Sequence, residues 1–290
     1  MSSPDFANKV NWLDHDNIRP YVLSRDNNHS LNPGALHSGI DWFDKDKMIL
    51  KNPFHLKELE FSDLILDIEG RAFQGANMAM PRWVFYDCAI MPGVVVGFAH
   101  KTETLSPALR SAFGKPIKGE WTPLSLFICI PTVQPECWLA HNLSSINSLL
   151  LEEDRFYGLG FLSKAFGLWY CNVPQLFGMT QWESPALKLH CNFGNLEILT
   201  AFTPVHSHPR TITYNCELDS NAWERFFTKK FNSQFHDKFN YAGFDINPKD
   251  RKSMLMLQAR LEAKENRFYL DPEHIRNEPL GDPIPVYIPK

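Results

Sequence analysis

No Cys-x-x-Cys pair occurs in this sequence, although it carries six cysteines, at positions 88, 129, 137, 171, 191 and 216. That removes the usual paired-cysteine zinc and dithiol redox motifs. Several of these thiols sit in apolar, strand-like stretches, which suits reduced, buried side chains in a cytoplasmic protein. No dense basic run appears and the formal net charge is −4, so a nucleic-acid partner has little electrostatic support. No apolar stretch approaches the roughly 20 residues that a membrane-spanning helix needs. The opening Met-Ser-Ser-Pro-Asp-Phe lacks a signal-peptide pattern, and internal repeats and low-complexity blocks are absent.

Apolar and aromatic residues are plentiful. Hydrophobic residues make up 44% of the 290, and 22 Phe, 8 Trp and 8 Tyr would fill a large core or line an apolar pocket. The first sixty residues are polar and mixed, punctuated by Asn32-Pro33-Gly34 and Asn52-Pro53. They read as an arm over the main body, and residues 1–75 are expected to form that arm and a helix. Within it, Leu64, Ile68 and Phe73 mark one buried face of a helix over 62–74. From Trp83 the pattern predicts strands over 83–90, 94–99, 124–130, 187–190, 196–202 and 211–216, with a short helix between Leu143 and Asp154. Residues 76–218 are therefore expected to be a mainly antiparallel β core that binds a ligand. Residues 219–290 are expected to be a helical extension, with Trp223, Phe226 and Phe227 on one helix and Met254, Leu257 and Leu261 on another.

The chemically suggestive run is Gly158-Leu-Gly-Phe-Leu-Ser-Lys-Ala-Phe166, where Lys164 lies among apolar neighbours. An ammonium that loses hydration becomes easier to discharge, and a neutral amine can attack a carbonyl. The competing reading is a surface lysine whose stem lies along apolar surface. Gly158-x-Gly160 is a poor phosphate loop, lacking a further glycine and a clear preceding strand. Glu183, beside Trp182, would act as a general acid or base if it lined an apolar pocket. His141 and Asn142 are candidates for the same cavity. Ser163 lacks the flanking glycines of a hydrolase nucleophile turn.

The order of features from Trp83 onward resembles the acetoacetate decarboxylase superfamily. The resemblance is carried by Trp83 to Pro92, Leu124 to Pro131, the helix near Asn142 to Glu153, and Gly160-Phe161-Leu162-Ser163-Lys164, which parallels the family's Gly-Phe-Pro-Lys-Lys. It covers about 140 residues of the chain. Ser163 takes the place of the Schiff-base lysine, so either Lys164 assumes that role or the pocket does something else. The resemblance implies an α+β fold with an antiparallel β-barrel-like core. It also implies a decarboxylase-like lyase acting on a small keto acid or carbonyl compound, with Lys164 and Glu183 catalytic. Ser163, Ser125, His141, Phe161 and Trp182 would contact the substrate, and no cofactor or metal is expected. Two alternatives stand beside it. One is a non-catalytic module that binds a hydrophobic small molecule. The other is a metal-dependent enzyme using His206 and His208, which share a face if that segment is extended. The expected partner is a small molecule, with no nucleic acid or membrane, and the apolar helix faces allow a homo-oligomer.

Overall fold

The computed structural model describes residues 12, 16–25, 47–90, 93–218, 235–275 and 282–290. The chain divides into two compact units, residues 1–134 with 140–173, and residues 135–139 with 174–290. The helix expected around Trp223 to Phe227 lies outside the described residues, as does most of the expected N-terminal arm.

In the first unit, strands β1 (Ile18–Leu23), β2 (Ile49–Lys51), β3 (Val94–Lys101), β4 (Trp121–Pro123) and β5 (Ser125–Pro131) form a mixed sheet, joined by residues 140–145 of β6 (Cys137–Ser145). The order is β6-β5-β3-β1-β2, with β4 pairing β3. Pairing of β1 with β2 is parallel, whereas β3 runs antiparallel to β1, β4 and β5. The helices are α1 (Leu59–Phe73), α2 (Arg82–Ile90), α3 (Pro107–Ala112) and α4 (Leu159–Tyr170).

In the second unit the strands are β7 (Gln175–Gln181), β8 (Gly194–Thr200), β9 (Thr211–Leu218), β10 (Phe239–Ile246), β11 (Phe268–Leu270) and β12 (Ile284–Pro289). They run in the order β10-β12-β11-β8-β9-β7, and each neighbouring pair is antiparallel. Helices α5 (Pro185–Cys191), α6 (Phe235–Lys238) and α7 (Arg251–Glu262) accompany them.

The expected barrel-like core is thus corrected. In each unit the described strands follow an open path and do not close into a ring. Two expected strands are helices instead. Residues 83–90 fall in α2, where the buried Phe85, Cys88 and Ala89 follow helical spacing. Residues 187–190 fall in α5, which starts at the Ser184 cap with Pro185 in its first turn. The helix expected within 143–154 is reduced to 3-10 turns at Ile146–Leu149 and Glu152–Asp154. Other expectations hold locally. Helix α1 buries Leu64 and Ile68, and α7 buries Met254 and Leu257. The C-terminal stretch expected to be only helical and extended also supplies strands β10, β11 and β12.

Helix α4 lies against β3 and β5 at the centre of the first unit. It is apolar on nearly every face, the pattern of a helix enclosed on all sides. Gly167 permits the close approach. A Cβ there would sit 2.5 Å from Phe127 Cδ1 and 2.9 Å from Val96 Cγ2.

Candidate functional sites

Lys164, Ser163 and Phe161 all lie on α4 and are buried. Lys164 is completely enclosed and has an interaction partner. Ser163 turns toward β5, where its Oγ is 2.7 Å from Ser125 Oγ and 2.7 Å from the Leu159 carbonyl oxygen. One hydroxyl proton serves one acceptor, so the network closes if Ser163 donates to Leu159 and receives from Ser125. Ser125 Oγ in turn accepts from Phe98 N at 3.1 Å, and its carbonyl accepts from the buried Tyr21 hydroxyl at 2.6 Å. The structure therefore brings Ser125 and Ser163 together, in a network that ties α4 to the sheet. His141 stands exposed on β6.

Sequence reasoning did not single out Glu69, a fully buried carboxylate on α1. Its oxygens accept from Met80 N at 3.0 and 3.1 Å, and Oε1 accepts from Asn142 Nδ2 at 2.8 Å. Burial raises its pKa, while the bonds from Asn142 and Met80 pull it back. The Glu–Gly pair within α1 gives no sign of this, because the partners are 11 and 73 residues away.

The approach to α4 has a distinct geometry. Gly158, at its N-cap, adopts φ 76°, a left-handed conformation that favours glycine, and no side chain caps the helix. The first intrahelical bond runs from Leu162 N to Gly158 O, so the amides of Gly160 and Phe161 precede it. Arg155 is exposed at the end of the 3-10 turn Glu152–Asp154, its Nε donating to Leu150 O at 3.2 Å. Its terminal nitrogens have no partner among the described residues. The strand that seemed missing before Gly158-x-Gly160 is β6, separated from the glycines by the two 3-10 turns.

In the second unit, Trp182 is buried and donates Nε1–H to Ala201 O at 2.8 Å. Glu183 pairs through Oε1 with Arg210, while its buried Oε2 has no hydrogen-bond partner among the described residues. His206 and His208 lie in a loop, where His206 Nδ1 accepts from His208 N at 2.9 Å. Among the described residues no third metal-ligating group joins that pair.

A pocket of about 370 Å³ opens on the second unit's sheet. Its polar wall follows from strand alternation. Asn195 and Glu197 on β8, and Asn215 and Glu217 on β9, face outward, whereas Leu196, Ile198, Tyr214 and Cys216 are buried. Arg267 grips Glu197 with Nε–Oε1 2.8 Å and Nη2–Oε2 2.5 Å. Burial, then the Glu197 charge, pushes the Tyr269 hydroxyl up to about 12. With Glu136 and Glu217 also on the wall, the pocket suits a cationic or amine-bearing group.

No family model matches the chain, and no curated protein matches it. Solved structures do. One is a provisionally assigned acyl-CoA N-acyltransferase from Klebsiella pneumoniae, 15% identical, TM-score 0.33, covering 58% of this chain and 93% of that one. Another is the NatC complex bound to Gag peptide and CoA, 12% identical, TM-score 0.39, with coverages of 58% and 97%. A third is a provisionally assigned GNAT-family acetyltransferase from Desulfovibrio desulfuricans, 13% identical, TM-score 0.34, with coverages of 55% and 92%. These scores are too low to transfer an activity. They bear on neither fold nor activity; it is the open strand path of each unit, where the acetoacetate decarboxylase superfamily would require a closed barrel, that withdraws that resemblance. Decarboxylation through a Lys164 Schiff base goes with it, because Lys164 projects from a core helix packed on an open sheet and not into a barrel. No helix among the described residues is long and apolar enough to cross a membrane.

Proposed function

We propose that the chain is an acyltransferase that holds a phosphate-bearing acyl donor of the coenzyme A class at the N-terminal turn of α4. The observation that carries this reading is the uncapped start of a buried helix, entered through Gly158 at φ 76°. The first amides of a helix point outward and carry about half a positive charge, so a phosphate completes the bonds that a side-chain cap would otherwise make. Arg155, three residues before Gly158, would add a cation with a planar donor fork suited to phosphate oxygens. Three exposed carboxylates, Glu152, Glu153 and Asp154, precede it and oppose an anion, so the amides and Arg155 together must outweigh them.

Acyl transfer and CoA binding are the chemistry described for the matched structures, and a phosphate-holding turn would serve it. An amine acceptor would attack the donor's thioester carbonyl. A C–N bond forms, the C–S bond breaks, the thiolate leaves and the amine gives up a proton. The small-molecule partner is then the donor itself. The six cysteines form no disulfide, which supports work in a reducing compartment such as the cytoplasm.

Calorimetric titration of coenzyme A into the full chain tests the reading. Saturable binding is expected, weakened roughly 10- to 100-fold by Arg155→Ala, the loss that follows from removing a hydrogen-bonded charge. Thiol release from acetyl-CoA with a panel of amines and peptide N-termini then tests catalysis. No binding at millimolar coenzyme A overturns the proposal.

A further inference from the structure

The second unit holds a cluster that the donor reading does not use. Asp271, completely buried, precedes the 3-10 turn Pro272–His274, and its Oδ1 accepts from Glu273 N at 3.0 Å. Its other oxygen faces two imidazoles. His236 Nε2, from α6, lies 3.2 Å from Asp271 Oδ2, and His274 Nδ1 lies 2.9 Å from the same atom. Ligand-capable atoms of His236, Asp271 and Glu273 all fall within 4.8 Å of one another. Both histidines are about half exposed and Glu273 is exposed, so the cluster opens to solvent around the one buried member, Asp271. Behind it, Phe235, Phe239, Tyr269 and Tyr287 form a packed aromatic cluster.

We infer that His236, Asp271 and Glu273 bind one divalent transition-metal ion of the zinc class, with His274 holding the Asp271 carboxylate in place. The donor set carries the choice of metal. Calcium and magnesium favour all-oxygen shells, whereas a mixed imidazole and carboxylate set suits zinc and its neighbours. Zinc–nitrogen and zinc–oxygen bonds of about 2.0–2.2 Å in a tetrahedron place neighbouring ligand atoms roughly 3.3 Å apart. The His236–Asp271 separation of 3.2 Å already matches that edge. Charge agrees as well, since one neutral imidazole and two carboxylates balance a divalent cation. A completely buried carboxylate needs such compensation. Three protein ligands leave a fourth position for water. The His274 contact resembles the outer hydrogen bonds that orient a metal-bound carboxylate.

The ion would act first on structure. Helix α6 is four residues long and too short to persist alone. Metal ligation would tie it to a turn 35 residues further along the chain, making binding free energy into folding free energy.

The test uses the full-length protein stripped with a chelator and titrated with zinc chloride, read by calorimetry and thermal unfolding. One saturable equivalent and a rise in Tm are expected, with no rise from magnesium or calcium. His236→Ala and Glu273→Gln should each abolish the saturable site and, with it, the zinc-dependent rise in Tm. His274→Ala should weaken it about 10- to 100-fold. The double variant His206→Ala/His208→Ala should bind like the parent. Absence of saturable zinc binding in the parent overturns the inference. So does zinc binding at the parent's affinity in either the Glu273→Gln or the His236→Ala variant, or loss of binding in the His206/His208 double variant.

Discussion

Helices α4 and α7 are each twelve residues long, yet they are held in opposite ways. In α4 every residue from Phe161 to Tyr170 is buried, and the helix begins at a glycine with no side-chain cap. In α7 only Met254 and Leu257 are buried, and Asp250 accepts from Lys252 N at 3.0 Å to cap the start. An exposed helix must satisfy its first amides from its own sequence, because little packing stabilises it. A helix enclosed by its unit is stabilised by burial and depends less on a side-chain cap. The same contrast separates the titratable groups. Lys164 and Glu69 in the first unit are enclosed and engaged in the core, whereas Glu197 with Arg267, and His236 with His274, stand where solvent or a ligand reaches them.

The largest expected difference lies in packing. Leu162→Ala should cost about 2–5 kcal/mol, since its side chain is completely buried. Leu255→Ala, on the open side of α7 at 39% exposure, should stay within about 0.5 kcal/mol. Urea denaturation of both variants decides the point, and equal losses would break the contrast.

At the helix starts the effects should be smaller. Asp250→Ala removes a cap and should cost about 1 kcal/mol. Gly158→Ala should cost about 1–2 kcal/mol through its left-handed backbone, with Gly158→Asn milder because asparagine tolerates that conformation. If Gly158→Ala proved neutral, the turn would not have the conformation on which the donor site depends.

The smallest effect concerns pH. Burial raises the Glu69 carboxyl above 4.5, so the folded chain keeps this proton to higher pH than the unfolded chain. Its contribution to stability is therefore greatest in acid and declines as pH rises from the unfolded value through the folded one. Glu69→Gln should flatten that part of the Tm–pH profile. A profile identical to the parent would mean that the carboxylate is not enclosed as described.

Several elements were legible beforehand because their signals are local. The 3.6-residue spacing of Leu64 and Ile68, and of Met254 and Leu257, marked α1 and α7. The runs at 94–99, 196–202 and 211–216 marked β3, β8 and β9. Ser184-Pro185 was an overlooked helix start, and Phe85, Cys88 and Ala89 were an overlooked helical face in a segment rich in β-favouring residues. Arg155 and the Gly158 turn were visible as residues but lacked meaning until β6 and α4 flanked them.

By itself, the sequence determined the apolar character of α4, the alternation of β8 and β9, and the lack of paired cysteines, since each depends on neighbours a few positions apart. Only the tertiary structure decided that the strands stay open, that Ser163 meets Ser125, that Glu69 meets Asn142, and that His236 reaches Asp271. Those contacts join residues 35 to 73 positions apart. Side-chain periodicity carries no information about which distant segments become neighbours; pairing register and helix-on-sheet packing settle that.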